Sequence, residues 1–265
     1  MNQGIPFPAI DPVLFEIGPF AVRWYALAYV AGFLLGWWLV RALVRRHPAG
    51  VSAKDVDDYL TWAVVGVIVG GRIGYVLVYN LPYFAANPAE ILAVWRGGMS
   101  FHGGLLGVVV ALVAFTRQRR IGLLTFADRI ACATPIGLLL GRIANFVNGE
   151  LYGRVTDVPW AVVFPAGGLV PRHPSQLYEA FLEGVALLAI MLALWRWTTL
   201  RERPGRLTGV FLVGYALARA AVETVREPDA QIGFVLGPLT MGQILTVPVL
   251  VGGLWLLARR PGRRG

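Results

Sequence analysis

Seven long apolar segments separated by short loops constrain the fold of this chain more than any other feature. Each segment has close to the ~20 residues that a helix needs to cross a bilayer. The chain is 57% hydrophobic and 15% charged, whereas soluble domains carry about a quarter of charged residues. The sequence therefore predicts an all-α, polytopic membrane protein with seven transmembrane helices. The predicted spans are 20–43, 60–79, 101–116, 123–145, 177–197, 208–224 and 240–258.

Basic residues alternate from loop to loop, and this predicts the orientation of the chain. Fifteen of the 24 Lys and Arg residues lie in or beside the loops after the first, third and fifth spans and at the C-terminus. The positive-inside rule then places the N-terminus outside and the C-terminus in the cytoplasm. We expect one integral-membrane domain over residues 1–265, with extracytoplasmic loops at 80–100 and 146–176 that form a small head, and a basic cytoplasmic tail at 259–265. The first loop is expected to contain a short helix on the membrane surface, and the second to be irregular.

The net charge of +9 is explained by this topology, so no nucleic-acid partner is expected. The N-terminal residues lack a basic stretch followed by an apolar core and a cleavage site, and we expect no removable signal peptide.

The stretch 141–154 ends a long apolar run at a predicted membrane surface and contains two arginines, two asparagines and a glutamate. Polar groups at such a position persist when they are paired, hydrated or functional. Arg142, Asn145 and Asn148 are spaced by three and share one face of a continuing helix, which makes a donor-rich surface suited to a phosphate. The alternative is that Arg142 pairs with Glu150 or with a carboxylate in a span and so locks helices together.

A second polar stripe lies on the predicted sixth span. Tyr215, Arg219, Glu223 and Arg226 fall within a narrow range of helical angles. Arg219 is deep in apolar sequence and is expected to face the bundle interior, with Glu223 one turn away as a candidate partner.

Further candidate positions lie elsewhere in the chain. His102 lies between glycine pairs at the outer start of the third span and is a candidate base, although a hydrated surface histidine is an equally simple interpretation. Tyr25 follows Arg23 and Trp24 at the start of the first span. Arg72 lies deeper in the second span, and the sequence does not indicate its partner. In the segment 171–179, Ser175 is a plausible N-cap, and Glu179 could orient the site.

Several functions are disfavoured because their residues are missing. The sequence has no His-x-x-x-His pair, no aspartate pair, no Gly-x-Ser-x-Gly elbow and no P-loop, which argues against metalloproteases, aspartyl proteases, serine hydrolases and nucleotide-binding enzymes. No metal or other cofactor is expected. The single cysteine, Cys132, lies in an apolar run and is interpreted as a small buried hydrophobe.

The ordered motifs of the chain resemble those of bacterial prolipoprotein diacylglyceryl transferases. The resemblance is carried by the stretches 141–153, 23–25, 102–104, 173–179 and 215–226. Ala144 and Tyr152 are mild departures from the family pattern. The resemblance implies transfer of the diacylglyceryl group of phosphatidylglycerol to the thiol of a lipobox cysteine in a prolipoprotein signal peptide, with release of glycerol-1-phosphate at the bacterial inner membrane.

By the same resemblance, the two key arginines of the family fall on Arg142 and Arg219 and its histidine on His102. The other positions that it implies are Tyr25, Asn145, Glu150, Gly153, Tyr215 and Glu223, and Asn148 joins them from the helical spacing. A thiolate must attack the glycerol carbon, and His102, a tyrosine or the lipid phosphate itself could take the proton. Two other functions stay open on the sequence: an anion or lipid transporter that uses the same arginines, and a lipid-binding scaffold.

Overall fold

The computed structural model describes residues 4–8, 10–18, 20–228, 234–236 and 239–259, and it is mostly helical. The predicted basic tail lies outside this part of the chain except for Arg259. The helices are α1 Trp24–Arg46, α2 Ala53–Tyr79, α3 Leu81–Ala86, α4 Phe101–Arg119, α5 Leu123–Val147, α6 Ser175–Glu179, α7 Leu187–Trp197, α8 Arg206–Glu223 and α9 Met241–Ala258. The strands are β1 Ile5–Pro6, β2 Val13–Ile17, β3 Phe20–Arg23, β4 Val162–Val163, β5 Pro171–Arg172, β6 Phe234–Leu236 and β7 Leu239–Thr240.

Six helical stretches among the described residues are long and apolar enough to cross a membrane. They are Trp24–Arg46, Ala53–Tyr79, Phe101–Arg119, Leu123–Val147, Ser175–Trp197 and Met241–Ala258. The predicted sixth span coincides with α8, which is as long as α9 but contains Arg206, Arg219 and Glu223 and is too polar to qualify by composition. The chain is therefore a multi-pass membrane protein.

The N-terminal end of the first predicted span is wrong. Residues 20–23 form β3, which pairs antiparallel with β2, with Val13 opposite Arg23. Helix α1 begins only at Trp24. Alternation of β-branched and aromatic residues over 13–23 would have indicated a hairpin, but the apolar length of the segment concealed it.

Loop 80–100 contains a short helix and loop 146–176 is irregular, as predicted, while their location relative to the membrane stays a prediction. The first contains α3 and two 3₁₀ turns, Pro88–Leu92 and Val94–Arg96. Between the end of α5 at Val147 and the start of α6 at Ser175, the described structure of the second contains only short strands and a 3₁₀ turn. Strand β4 pairs parallel with β1 and antiparallel with β5, so the N-terminal residues are tied to this loop.

The chain divides into two compact units, Met1–Leu39 with Asp128–Gly265, and Val40–Ala127. In the second unit, glycines set the distance between α2 and α4. A Cβ atom at Gly107 would lie 2.0 Å from the carbonyl oxygen of Gly66, and one at Gly70 would lie 2.4 Å from that of Gly103. Such small-residue contacts let helix backbones approach closely in membranes.

Arg72 has its partner in this same unit. Its guanidinium donates to the carbonyl oxygens of Glu90, Ile91, Gly97 and Gly98 at 2.6–3.1 Å. The buried cation therefore replaces the backbone hydrogen bonds that an irregular loop lacks. Arg72 has a structural role, because it fixes loop 80–100 against α2.

In the first unit, Asp128 anchors the N-terminal end of α8, the helix that corresponds to the predicted sixth span. Asp128 was not identified as important from the sequence. Asp128 is 1% exposed, and its carboxylate accepts from the amides of Gly205 and Thr208 at 2.8 and 2.7 Å and from the Thr208 hydroxyl at 2.7 Å. These amides are among the donors that a helix start leaves without partners. Asp128 thereby anchors α8 to α5.

A π-helical stretch, Ala180–Ala186, joins α6 to α7. π-Helical turns are rare and are frequent at functional sites. Gly184 lies in it, and a Cβ atom there would be 2.7 Å from Cβ of Leu139. The π-helical turn is therefore seated directly on α5.

Candidate active site

Three arginines and three glutamates meet inside the first unit, and we refer to them as the arginine–glutamate cluster. They come from α5, from α6 with its π-helical continuation, and from α8 with the residues that follow it. The members are Arg142, Glu179, Glu183, Arg219, Glu223 and Arg226.

Glu179 is the central member of the cluster. It is fully buried, and its carboxylate lies 3.1 Å from Nη1 of Arg142 and 2.9 Å from Nη1 of Arg226. It also forms an ion pair with Arg219. A buried carboxylate is stable only when it is paired and hydrogen-bonded, and Glu179 meets this condition through three cations. Its suggested role in orienting the site agrees with this geometry.

Glu223 pairs with Arg219 as the helical spacing predicted. The Arg219 Nη2 to Glu223 Oε2 distance is 2.7 Å. The other carboxylate oxygen accepts from the Thr240 hydroxyl at 2.7 Å, and a Cβ atom at Gly242 would lie 2.5 Å from it. The start of α9 therefore closes tightly over Glu223.

Arg142 does not point toward the carboxamides with which it shares a helix face in the sequence. Its guanidinium lies 3.1 Å from Glu179 and 3.4 Å from Glu183. The alternative in which Arg142 pairs with a span carboxylate is therefore the arrangement found, and Glu150 is not the partner. Side-chain exposures of 17% for Arg142 and 13% for Arg219 leave both side chains partly accessible.

Asn145 and Asn148 converge on Glu150 instead. Their side-chain amides donate to Oε1 of Glu150 over 2.9 and 3.3 Å. The Glu150 carbonyl accepts from the Gln176 side chain at 2.5 Å, and the Ser175 hydroxyl donates to the carbonyl of Leu151 at 3.0 Å. Ser175 thus bonds to this turn and does not cap α6, whose N-cap is Pro174. The predicted capping role of Ser175 is wrong.

Gly153 lies where three backbone segments meet. Its amide donates to the carbonyl of His173 at 2.8 Å, and it forms a bridge with Arg226. A Cβ atom at this position would be 2.6 Å from both Cβ of His173 and the carbonyl oxygen of Val225. Only glycine fits here, and its position fixes Arg226 beside Glu179.

The two predicted tyrosines border the cluster. The hydroxyl of Tyr25 lies 3.3 Å from that of Tyr29, and the charges of Glu150 and Arg142 act on it. Tyr215 stacks on Phe211, with ring centroids 6.2 Å apart, and the charges of Glu183 and Arg219 act on it.

His102 belongs to the other compact unit, Val40–Ala127. It is exposed in the first turn of α4, where its ring lies edge-on to Phe101 at a centroid distance of 5.6 Å. The glycines beside it serve the approach of α2 and α4, as described above.

Glu183 is the cluster member that the sequence interpretation missed. It is fully buried and lies four residues after Glu179 in the π-helical stretch. Two carboxylates at this spacing inside an apolar run are a signal of a site, which would have identified both.

The cluster can recognise an anion. A guanidinium binds carboxylates and phosphates through the same forked geometry, so a phosphate can take the place of a carboxylate at Arg142 or Arg219.

Residues 12–259 match the family model described as prolipoprotein diacylglyceryl transferase. The chain belongs to this family. The phosphatidylglycerol–prolipoprotein diacylglyceryl transferase of Rhodospirillum rubrum is 57% identical over 264 residues, which cover 98% of this chain and 96% of that protein. The enzymes of the same name from Azospirillum brasilense and Brucella canis are 59% and 52% identical, over 97% of this chain and 98% and 94% of theirs.

Membership in the diacylglyceryl transferase family identifies the chain as a transferase of lipoprotein modification. The family match spans all six cluster residues, together with Tyr25, His102 and the Asn145–Asn148–Glu150 group. The transporter alternative finds no support in these relatives.

Proposed function

We propose that this protein transfers the diacylglyceryl group of phosphatidylglycerol to the thiol of the lipobox cysteine of prolipoproteins and releases glycerol-1-phosphate. The arginine–glutamate cluster carries this proposal, because it places the partly accessible side chains of Arg142 and Arg219 among largely apolar helices. Phosphatidylglycerol supplies the matching phosphate, and its acyl chains suit the apolar surface of the spans. The names of the full-length relatives give the same two substrates.

In the proposed reaction, the thiolate attacks the phosphate-bearing carbon of the diacylated glycerol, the C–S bond forms, and the C–O bond between that carbon and the phosphate breaks. Its electron pair stays on the phosphate oxygen, so glycerol-1-phosphate leaves. Arg142 and Arg219 bind the phosphate and stabilise its growing charge, an effect that is strong where water is excluded. Glu223 and Glu179 hold these guanidiniums in position. Asn145, Asn148 and Glu150 shape the substrate site beside Tyr25 and Tyr215, while Gly153 keeps the local backbone in place.

The proton of the thiol needs an acceptor, and we assign this role to His102. Histidine titrates near neutral pH and is the commonest general base. A tyrosine or the lipid phosphate is the alternative acceptor. Replacement of His102 by Gln distinguishes these proton acceptors. Transfer activity falls steeply if His102 is the base, and it is retained if the lipid phosphate takes the proton.

The membrane arrangement follows from the same cluster. We assign α8 as a seventh span, because Arg219 and Glu223 are paired within the protein, with Glu179, with each other and with Thr240, as charged residues inside a membrane have to be. The charge pattern then places the N-terminus and loops 80–100 and 146–176 outside the cytoplasm. The proposed location is the bacterial inner membrane, where exported prolipoproteins present their cysteine.

The deciding experiment uses purified protein, phosphatidylglycerol labelled in its acyl chains and a lipobox peptide. Thioether-linked label on the peptide is the expected result, and a peptide with Ser in place of the Cys is the control. Bound lipid without transfer would favour a scaffold. Movement of labelled lipid across a vesicle membrane without transfer would favour a transporter.

A further inference from the structure

Glu183 differs from the other two carboxylates of the arginine–glutamate cluster in the number of its donors. Glu179 faces three guanidiniums. Glu223 forms an ion pair with Arg219 and accepts a hydrogen bond from the Thr240 hydroxyl. Among the described residues, Glu183 has a single polar contact, 3.4 Å from its Oε2 to Nη2 of Arg142. One buried oxygen of each carboxylate accepts no hydrogen bond from the described residues. That oxygen lies 3.1 Å from Arg142 in Glu179 and 2.7 Å from Arg219 in Glu223, whereas Oε1 of Glu183 has no ion pair within the described part of the chain. Glu183 is therefore the least stabilised anion of the three.

The charges of the cluster balance before any substrate arrives. The three guanidiniums face three carboxylates, and the groups that act electrostatically on Glu183 are Arg142 from α5, Glu179 from its own helix, and Arg219 and Tyr215 from α8. A phosphodiester brings one further negative charge. An uncompensated charge is costly in a buried site, so a proton or a cation has to accompany the lipid.

We propose that Glu183 is the exchangeable counter-ion of Arg142. It holds the guanidinium in the free enzyme, yields it to the phosphate of the bound lipid, and takes up one proton as it does so. The proton comes from solvent on binding and returns there when the phosphate product leaves, so no bond to substrate is made at Glu183. The inference rests on the proposed function, because it requires a phosphate at Arg142.

The local structure suits such an exchange. Gly184 seats the π-helical turn against Leu139 of α5, which keeps Glu183 beside Arg142 in both states. Glu179 stays bound to Arg219 and Arg226 when the phosphate enters. Arg142 therefore exchanges only its longer ion pair, the one with Glu183, for the phosphate. The other ion pairs of the cluster stay formed. Glu183 acts through Arg142 and is a positioning residue.

The test is calorimetric titration of detergent-solubilised full-length protein with short-chain phosphatidylglycerol, in two buffers of different protonation enthalpy. For the wild type we expect uptake of about one proton per lipid bound. For E183Q we expect uptake close to zero and at least about threefold tighter binding at neutral pH, because the competing anion is gone. Absence of proton uptake in the wild type, unchanged uptake in E183Q, or weaker binding by E183Q would overturn the proposal.

Infrared difference spectra provide a second readout if E183Q does not fold. Lipid binding to the wild type should produce the carbonyl band of a protonated buried carboxyl group, and this band should shift in E183D. A band that is absent from the wild type or unshifted in E183D overturns the proposal. The transfer assay on the same preparation separates the two ideas: transfer without proton uptake refutes the counter-ion exchange alone, while lipid binding without transfer refutes the proposed function.

Discussion

Arg219 on α8 and Glu179 at the end of α6 form an ion pair in which the carboxylate is fully buried and also serves Arg142 and Arg226. The positions of α5, α6 and α8 are therefore coupled through the carboxylate of Glu179. A single side chain determines where three cations point, and two of these cations are the proposed phosphate ligands.

Replacement of Glu179 by Gln should lower both stability and activity. The amide keeps the shape but removes the charge that three guanidiniums share. Loss of one partner from a buried ion pair costs about 3–5 kcal/mol, and we expect the free energy of unfolding to fall by at least the lower part of that range. Thermal unfolding in detergent and the transfer assay measure the two effects. The control is Glu202→Gln, where a side chain that is 63% exposed lies 3.7 Å from Arg201. Equal melting temperatures for both variants would contradict a central role of Glu179.

Replacement of Arg142 by Lys should abolish most of the activity with the charge retained. Lysine lacks the planar fork that reaches two oxygens at once, and loss of one electrostatic stabiliser of a transition state costs about 10²–10³ in kcat. Initial rates against lipid concentration give kcat and KM separately. Arg96→Lys is the matched control, since Arg96 is 65% exposed and pairs with Glu90 at 3.2 Å. Wild-type kcat in the Arg142 variant would exclude a bidentate role.

Replacement of Gly153 by Ala should destabilise the loop that holds Arg226. The added methyl group would lie 2.6 Å from two atoms of neighbouring segments, one of them a backbone oxygen. Overpacking of this kind costs about 1–3 kcal/mol, and activity should fall with it, because Arg226 moves relative to Glu179. Gly252→Ala in α9 is the control, since a Cβ atom there meets nothing within 4 Å. A Gly153 variant that melts like the Gly252 variant would show that the loop adapts.

Much of the fold could be predicted because apolar length and charge alternation are local signals. The boundaries of α2, α4, α5, α7 and α9 agree with the predicted spans at one end or both. The hairpin at 13–23 was missed, because its second strand is mostly apolar and precedes α1 with only Arg23 between them, so the strand was counted as the start of the span.

The composition of the site was predicted better than its pairing. Helical spacing gave the Arg219–Glu223 pair correctly, since both residues lie on one helix. The same spacing suggested a surface shared by Arg142 and Asn145, but the partner of Arg142 comes from α6 and its π-helical continuation. Contacts between distant segments depend on helix packing, which a single sequence does not specify.

Replacement of Cys132 by Ala should leave transfer intact. The thiol is fully buried in α5, and the proposed nucleophile belongs to the substrate. Loss of the sulfur atom leaves a small cavity, and stability should fall by about 1 kcal/mol. The transfer assay and thermal unfolding check both statements. Loss of turnover in a variant that folds would require a covalent role for Cys132 and would contradict the proposed reaction.

Protonation of His173 should weaken the fold as the pH falls. Burial lowers the pKa of His173 below its ordinary value, so the folded protein favours the neutral ring, whose Nδ1 lies 3.2 Å from the Tyr178 hydroxyl. A lowered pKa in the folded state means that this stabilisation is present above the pKa of the unfolded chain and is lost as the pH falls through the folded one. His173→Asn keeps a hydrogen-bonding group near Nδ1 and does not titrate. Between about pH 7.5 and pH 5, the melting temperature of the wild type should therefore decrease more than that of this variant. Equal losses would show that other groups, such as carboxylates, account for the acid sensitivity and that His173 is protonated without cost.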